Sequence, residues 1–418
     1  MYKGLKGMAL SLLLVFMLNT VMPFGRRLGA ADIPASESGP RYRPDPGIAA
    51  LASLPEPLSV DNMLLAAFIA SGVPGEQCAP LVKKVHKLLE SAPKKSKDPE
   101  KLSEELLVWM HENLLKNYSL HQTRLDVLLE KGGYNCVSSA VMYSILLKSR
   151  NIPVYGVQTF DHAFCRVPLE SRGDGGVDVE TTTHFGFDPG RRKKAADAFT
   201  GRTGFAYTAP GNYRERQKLG DKELVSLIYQ NRLASLQRQR NWLKAVELAR
   251  DRWALSGTEA SRNDFRESLH NYAAAMNKSS RRIEALRFLN AAHGELGKDH
   301  GLEETASALL GNEITALTRQ RKFNEAMALL ENKELCALVP RKFVEERYRE
   351  FQIDKVEHQV ASAPFEEALT ILDSARSRQL IDLKRWHELS MFIWTKEAKR
   401  VSGGGKWMAG VELLKRER

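Results

Sequence analysis

Apolar positions recur along the chain with two different periods, and the change of period divides it. Residues 62–71 are apolar almost without a break and long enough for a helix. Residues 80–89 set Leu81, Val85, Leu88 and Leu89 on one stripe, and 102–115 and 125–128 continue at helical spacing after a lysine-rich loop over 91–97. Val137, Val141 and Ile145 predict a helix over 137–150, which Asn151-Ile152-Pro153 ends, since proline cannot donate to the helical ladder. Three β-like runs follow, over 154–160, 162–169 and 177–183. The turn-rich stretch 170–176 makes the last two a hairpin, and Phe205-Ala206-Tyr207 is expected to close the sheet. The pattern predicts one α+β domain over 59–218, with N-terminal helices and a small antiparallel sheet.

From about Leu219 onward only helical spacing appears, and it repeats. Ala245, Ala285, Ala326, Ala368 and Ala409 are spaced by 40, 41, 42 and 41 residues, each beginning an apolar stripe. Asn231, Asn271 and Asn312 each precede one of these alanines by 14 residues. A small residue at a fixed place lets two helices approach closely, and a period near 40 predicts stacked helix pairs, an all-α solenoid over 219–418. Pieces such as Phe323-Asn324-Glu325-Ala326-Met327-Ala328-Leu329 and Phe365-Glu366-Glu367-Ala368-Leu369 resemble tetratricopeptide repeats. The resemblance covers about 225–414 and implies a concave surface for a protein partner. The period departs from that family's 34 residues, so these are degenerate, tetratricopeptide-like repeats.

Residues 32–58 hold six prolines and read as an extended linker. Before them, Lys3 and Lys6 precede the apolar run 8–24, and Gly29-Ala30-Ala31 offers small residues for a signal-peptidase cut. Residues 1–31 are therefore expected to be a signal peptide, or, uncleaved, an inner-membrane anchor through 8–24. Either way the protein is exported, to a periplasm. These 31 residues carry four of the 62 basic groups and no acidic one. Without them 58 basic groups face 51 acidic ones, a net +7. That charge leaves open an association with a membrane or cell-wall surface. The basic clusters at 191–194 and 94–95 lack interleaved aromatics, which speaks against nucleic acid as a partner.

Four cysteines in 418 residues do not make a disulfide scaffold. Cys136 has the surroundings of a nucleophile. Gly132-Gly133 approach it, Asn135 can cap the helix, and a thiol in the first helical turn meets unpaired N–H groups and the positive end of the dipole. Those N–H groups could also bind an oxyanion, with Tyr134 and Asn135 beside them. A thiolate needs a base and the base an orienter. His162 opens a strand on which Phe164 and Arg166 share its face; Cys165 points to the other side and is expected in the core. Asp178 and Glu180 share a face of the next strand. A turn centred at Glu170 or Ser171 would bring one or the other opposite His162. His184 is expected to be a loop histidine. The histidines form no metal-ligand spacing, and no phosphate-binding glycine loop or Gly-x-Ser-x-Gly occurs, so no cofactor or metal is expected.

Gly133-Tyr134-Asn135-Cys136 opening a helix, Asp161-His162-Ala163-Phe164 opening a strand and Asp178-Val179-Glu180-Thr181-Thr182 on the next strand resemble the transglutaminase-like (papain-like) superfamily. The resemblance covers roughly 100–190. It implies Cys136 as nucleophile, His162 as general base and Glu180, ahead of Asp178, as orienter, since Glu180-Thr181-Thr182 best matches the family's Asp-x-Thr element. It departs from the family at Phe164, where a tryptophan is common, and in offering a glutamate. The function implied is a cysteine enzyme, a protease, amidase or acyltransferase on protein or peptide substrates. The alternative is an inactive fold serving as a peptide- or protein-binding scaffold.

Overall fold

The computed structural model describes residues 41–94, 96–173, 175–191, 193–297, 299–403 and 407–415. The expected leader 1–31, with its run 8–24, lies outside them. Among the described residues no helix is long and apolar enough to cross a membrane.

The proline-rich stretch is not an extended linker where it is described. Pro46–Ala52 is a helix, α1, because Asp45 caps it with Oδ1 accepting from the N–H of Gly47 and Ile48, and Pro46 fits the first helical position. The segment is strapped down by Arg41, which pairs with the buried Asp251 at 2.9 Å, and by Lys222 Nζ, which donates to the carbonyls of Ala52 and Leu54 at 2.6 Å.

Helices α2 (Val60–Ser71), α3 (Cys78–Ser91) and α4 (Pro99–Asn113) follow as the spacing predicts. Strand β1 (Asn117–Tyr118) then pairs in parallel with β2 (Gly133–Tyr134) around α5 (Leu125–Lys131), a two-stranded piece the pattern did not predict. Helix α6 (Cys136–Lys148) is the centre. Every residue from Cys136 to Leu147 is buried, so it has no polar face to show. Four antiparallel strands lie against it: β3 (Tyr155–Gln158), β4 (Ala163–Pro168), β5 (Gly176–Val179) and β6 (Gln217–Leu219), in the order β5-β4-β3-β6. The sheet is closed by β6, not by Phe205-Ala206-Tyr207, which follow helix α7 (Lys193–Thr203) as loop. The fold is thus mixed α+β at this end.

Helix α8 (Asp221–Arg238) belongs to this core. Leu224, Val225, Leu227, Ile228 and Tyr229 are buried in the same cluster as α6. It also starts the helical stack: α9 (Trp242–Ser256), α10 (Glu259–Lys278), α11 (Arg282–Leu296), α12 (His300–Arg319), α13 (Phe323–Glu331), α14 (Arg341–Ser362), α15 (Phe365–Ser377), α16 (Leu383–Val401) and α17 (Trp407–Lys415). Neighbouring helices pack on one another and α10, α12, α14 and α16 touch in succession. The expected boundary at 218/219 runs through β6, and the described residues belong to one compact unit.

The repeat is visible in the backbone. Arg240, Ser280 and Arg321 adopt left-handed φ of 57°, 58° and 62°, each two residues before a helix whose fourth residue is a buried alanine: Ala245, Ala285, Ala326. Ala368 holds the same place in α15. In α17 the pattern slips by one: Ala409 is exposed, and the buried fourth residue is Gly410, where a Cβ would overlap Ser402 Oγ.

Candidate active site

Cys136 is the first residue of α6, and the cap beneath it is complete. Asn135 Oδ1 accepts from the N–H of Val137 and Ser138 at 3.1 and 3.0 Å, while Ser138 Oγ accepts from the Asn135 N–H at 3.0 Å. The cap thus consumes the second and third N–H groups of the helix. The Cys136 N–H has no acceptor among the described residues, so one first-turn amide is left to face a ligand. Asn135 Nδ2 donates to the Leu120 carbonyl at 3.1 Å, fixing the approaching loop.

His162 enters from the sheet, on the face it shares with Phe164. Its Nε2–H donates to Glu180 Oε2 at 2.6 Å, and its ring lines the same cleft as Cys136. Burial works against a charged imidazole here. The Glu180 carboxylate and the Cys136 sulfur outweigh it, holding the His162 pKa well above 6.5. Phe199 of α7 meets the ring edge-to-face at 5.7 Å and keeps it oriented.

Glu180 is 1 % exposed, and its charge is retained by bonds rather than by water. Burial raises its pKa, but His162 and Thr182 more than offset that, and it lies below 4.5. Its Oε1 accepts from both the N–H and the Oγ1 of Thr182, at 3.0 and 2.7 Å. The turn carrying it is pinned from three sides. His111 Nε2 donates to the Thr181 carbonyl at 3.1 Å, Tyr134 Oη donates to that of Thr182 at 3.0 Å, and Ser139 and Thr181 hydroxyls meet at 2.8 Å. Burial keeps His111 neutral, its pKa pushed down to about 3 against the pull of the Thr181 carbonyl towards the charged ring. Gly186 is needed where it is, because its carbonyl accepts from the Glu180 N–H and a Cβ would overlap the Glu180 carbonyl.

Of the four expected residues, Cys136, His162 and Glu180 are brought together and Asp178 is not. The pairs Arg166↔Asp178 and Val167↔Val177 centre the hairpin on Arg172, beyond the expected Glu170 or Ser171. Continued outward, that register puts Thr182 opposite His162 and Glu180 on the diagonal, within reach of a long side chain. Asp178 instead binds Arg166 at 2.9 Å and Arg216 at 2.6 Å. Cys165 faces the core, donating towards the Ala140 carbonyl at 3.4 Å, and burial pushes its thiol up to about 12. Tyr134 is fully buried and serves the Glu180 turn rather than an oxyanion. His184 packs on Phe185 and His111 outside the cleft.

Cys136 and His162 open into a cleft of ≈ 280 Å³. One wall is the turn between β3 and β4, with Phe160 81 % exposed at the mouth. The other is α8, a helix that the sequence pattern does not place at the site. No family model matches the chain, and no curated protein does.

Proposed function

We propose that this protein is a transglutaminase-like cysteine enzyme that cleaves or transfers acyl groups at amide or peptide bonds. The observation that carries the reading is Cys136 and His162 lining one cleft, with His162 bonded to a buried, threonine-clamped Glu180. A cationic imidazole beside the sulfur favours the thiolate. Cys136 Sγ attacks the substrate carbonyl carbon, and the Cys136 N–H stabilises the resulting oxyanion. His162 gives its proton to the leaving amine as the C–N bond breaks, leaving a thioester. Water, or an acceptor amine, gives a proton back to His162 and attacks the thioester carbonyl, and the thiolate leaves. Glu180 holds the imidazole's tautomer and its charge through both steps.

In this reading the helix pairs form a tetratricopeptide-like surface for a protein partner. The chain is exported by residues 1–31, or held at the inner membrane by 8–24, and meets its protein or peptide substrate there.

The test is the rate at which iodoacetamide alkylates Cys136, mapped by peptide, against the rate in His162→Ala. An active pair gives alkylation at pH 6–7 at least about tenfold faster in the wild type than in the variant. Slow alkylation indifferent to His162 would overturn the enzyme reading and favour a binding scaffold.

A further inference from the structure

Helix α8 presents one continuous face to the cleft: Leu227, Gln230, Asn231, Ala234, Ser235 and Arg238. The spacing of three and four residues marks a single stripe. It runs for about 16 Å, the reach of roughly five residues of extended chain. The polar groups on the stripe are arranged in a definite way. Gln230 uses its carbonyl to accept from Arg252 Nη2 at 3.0 Å, which leaves its N–H2 as the free half of the amide. Asn231 uses its N–H2 to donate to Thr123 Oγ1 at 3.3 Å, which leaves its carbonyl. One free donor and one free acceptor, side by side, match the C=O and N–H of a peptide group. Ala234 follows with no bulk to block the path.

The stripe ends on positive charge. Arg238 Nη2 donates to His121 Nδ1 at 3.4 Å, and both line the cleft and are exposed. Arginines elsewhere in the helical stack, such as Arg250 and Arg252 of α9, hold carboxylates. Arg238 holds none among the described residues, although it has the fork that binds one in two places. The single carboxylate lining the cleft, Asp161, adjoins His162 in the β3–β4 turn.

We propose that α8 is the specificity wall of the site, aligning an extended substrate whose peptide group binds Gln230 and Asn231 and whose carboxylate binds Arg238 and His121. The inference rests on Cys136 being the attacking group. It names the substrate class: an amide-linked chain with a carboxylate at a fixed distance from the reacting carbonyl, supplied by a chain end or by an acidic side chain.

The test uses N-iodoacetyl ω-amino acids of increasing chain length, each as the free carboxylate and as the carboxamide, with the rate of Cys136 alkylation as readout. The warhead is the same in both series, so their rate ratio is independent of how reactive the thiol is. The proposal expects the carboxylate to react about tenfold faster at one or two chain lengths only, the worth of one charge-assisted contact. The ratio falls towards one in Arg238→Ala and persists in Arg240→Ala, which removes the same charge beyond the cleft. Iodoacetyl-Gly-Gly with a free terminus and iodoacetyl-Gly-Glu-amide then separate a chain end from an acidic side chain. A ratio near one at every length, or one that survives Arg238→Ala, would overturn the inference. Plain iodoacetamide rates indifferent to His162 would overturn instead the nucleophile reading on which it rests.

Discussion

At the scale of single residues, the site turns on a buried carboxylate that keeps its charge. Glu180 is buried away from bulk solvent, and Thr182 and His162 take up its hydrogen bonds. Exchanging it for Gln keeps the shape and removes the charge, so the His162 imidazole, followed by NMR, should titrate at a clearly lower pH in Glu180→Gln than in the wild type. Equal midpoints would refute the coupling. The sign for stability follows from the same shifts. Glu180, held below 4.5, contributes stability that is complete above pH 4.5 and is lost as pH falls through its folded value. His162, held above 6.5, contributes stability that is complete below pH 6.5 and is lost as pH rises through its folded value. The wild-type margin over Glu180→Gln in thermal midpoint should therefore be widest between about pH 4.5 and 6.5 and narrow on both sides. Cys136, His162 and the inward Cys165 were legible in the sequence because helix capping and strand alternation are local. Strand register left Glu180 and Asp178 open, and only the resemblance of Glu180-Thr181-Thr182 favoured Glu180. The choice depends on a turn centre at Arg172 and on Arg216, which approaches from the loop before β6 to take Asp178.

At the scale of elements, the apolar periodicity of the sequence matches the structure where burial follows periodicity. The central helix, the β4–β5 hairpin and the stacked pairs all came through. Two kinds of element did not. Helix α1 hid inside a proline-rich stretch, although Asp45 before Pro46 carried a helix-start signal. The cleft face of α8 hid because Gln230, Asn231, Ser235 and Arg238 look like an ordinary solvated stripe until the β3–β4 turn is brought opposite them. The repeat alanines allow a sharper test, since one of the five does not share the environment of the others. Ala326 is fully buried where α13 meets its neighbours, and Ala409 is exposed. Ala326→Leu overfills a packed contact and should cost about 1–3 kcal/mol in chemical denaturation. Ala409→Leu should stay within about 0.5 kcal/mol. Equal costs would mean that the fifth repeat is in phase after all and that Gly410 is not its small residue.

At the scale of the molecule, α8 ties the two kinds of architecture together. One of its faces fills the core around α6, another lines the cleft, and its end leads straight into the helix stack. The strap of residues 41–58 strengthens that joint, because Arg41 and the Asp45 N–H both bind the buried Asp251 of α9 while Leu58 N–H and Lys148 both bind Asp221 of α8. Removing Arg41 leaves Asp251 without its cation, so Arg41→Ala should destabilise the α+β end and not the far repeats. The far repeats have an apolar cluster of their own, with Val360, Leu372 and Ile393, separate from the cluster that joins α6 to α8 and Leu255 of α9. Helical stacks divide at such points, since each pair contacts only its neighbours. Hydrogen exchange measured across a denaturant series should show the amides of α15 and α16 opening at lower denaturant than those of α6, α8 and α9. These last three should open together, and Arg41→Ala should shift only their midpoint. A single midpoint for all five helices would show that the stack and the α+β core unfold as one. The alignment of α8 along the cleft would then depend on every repeat.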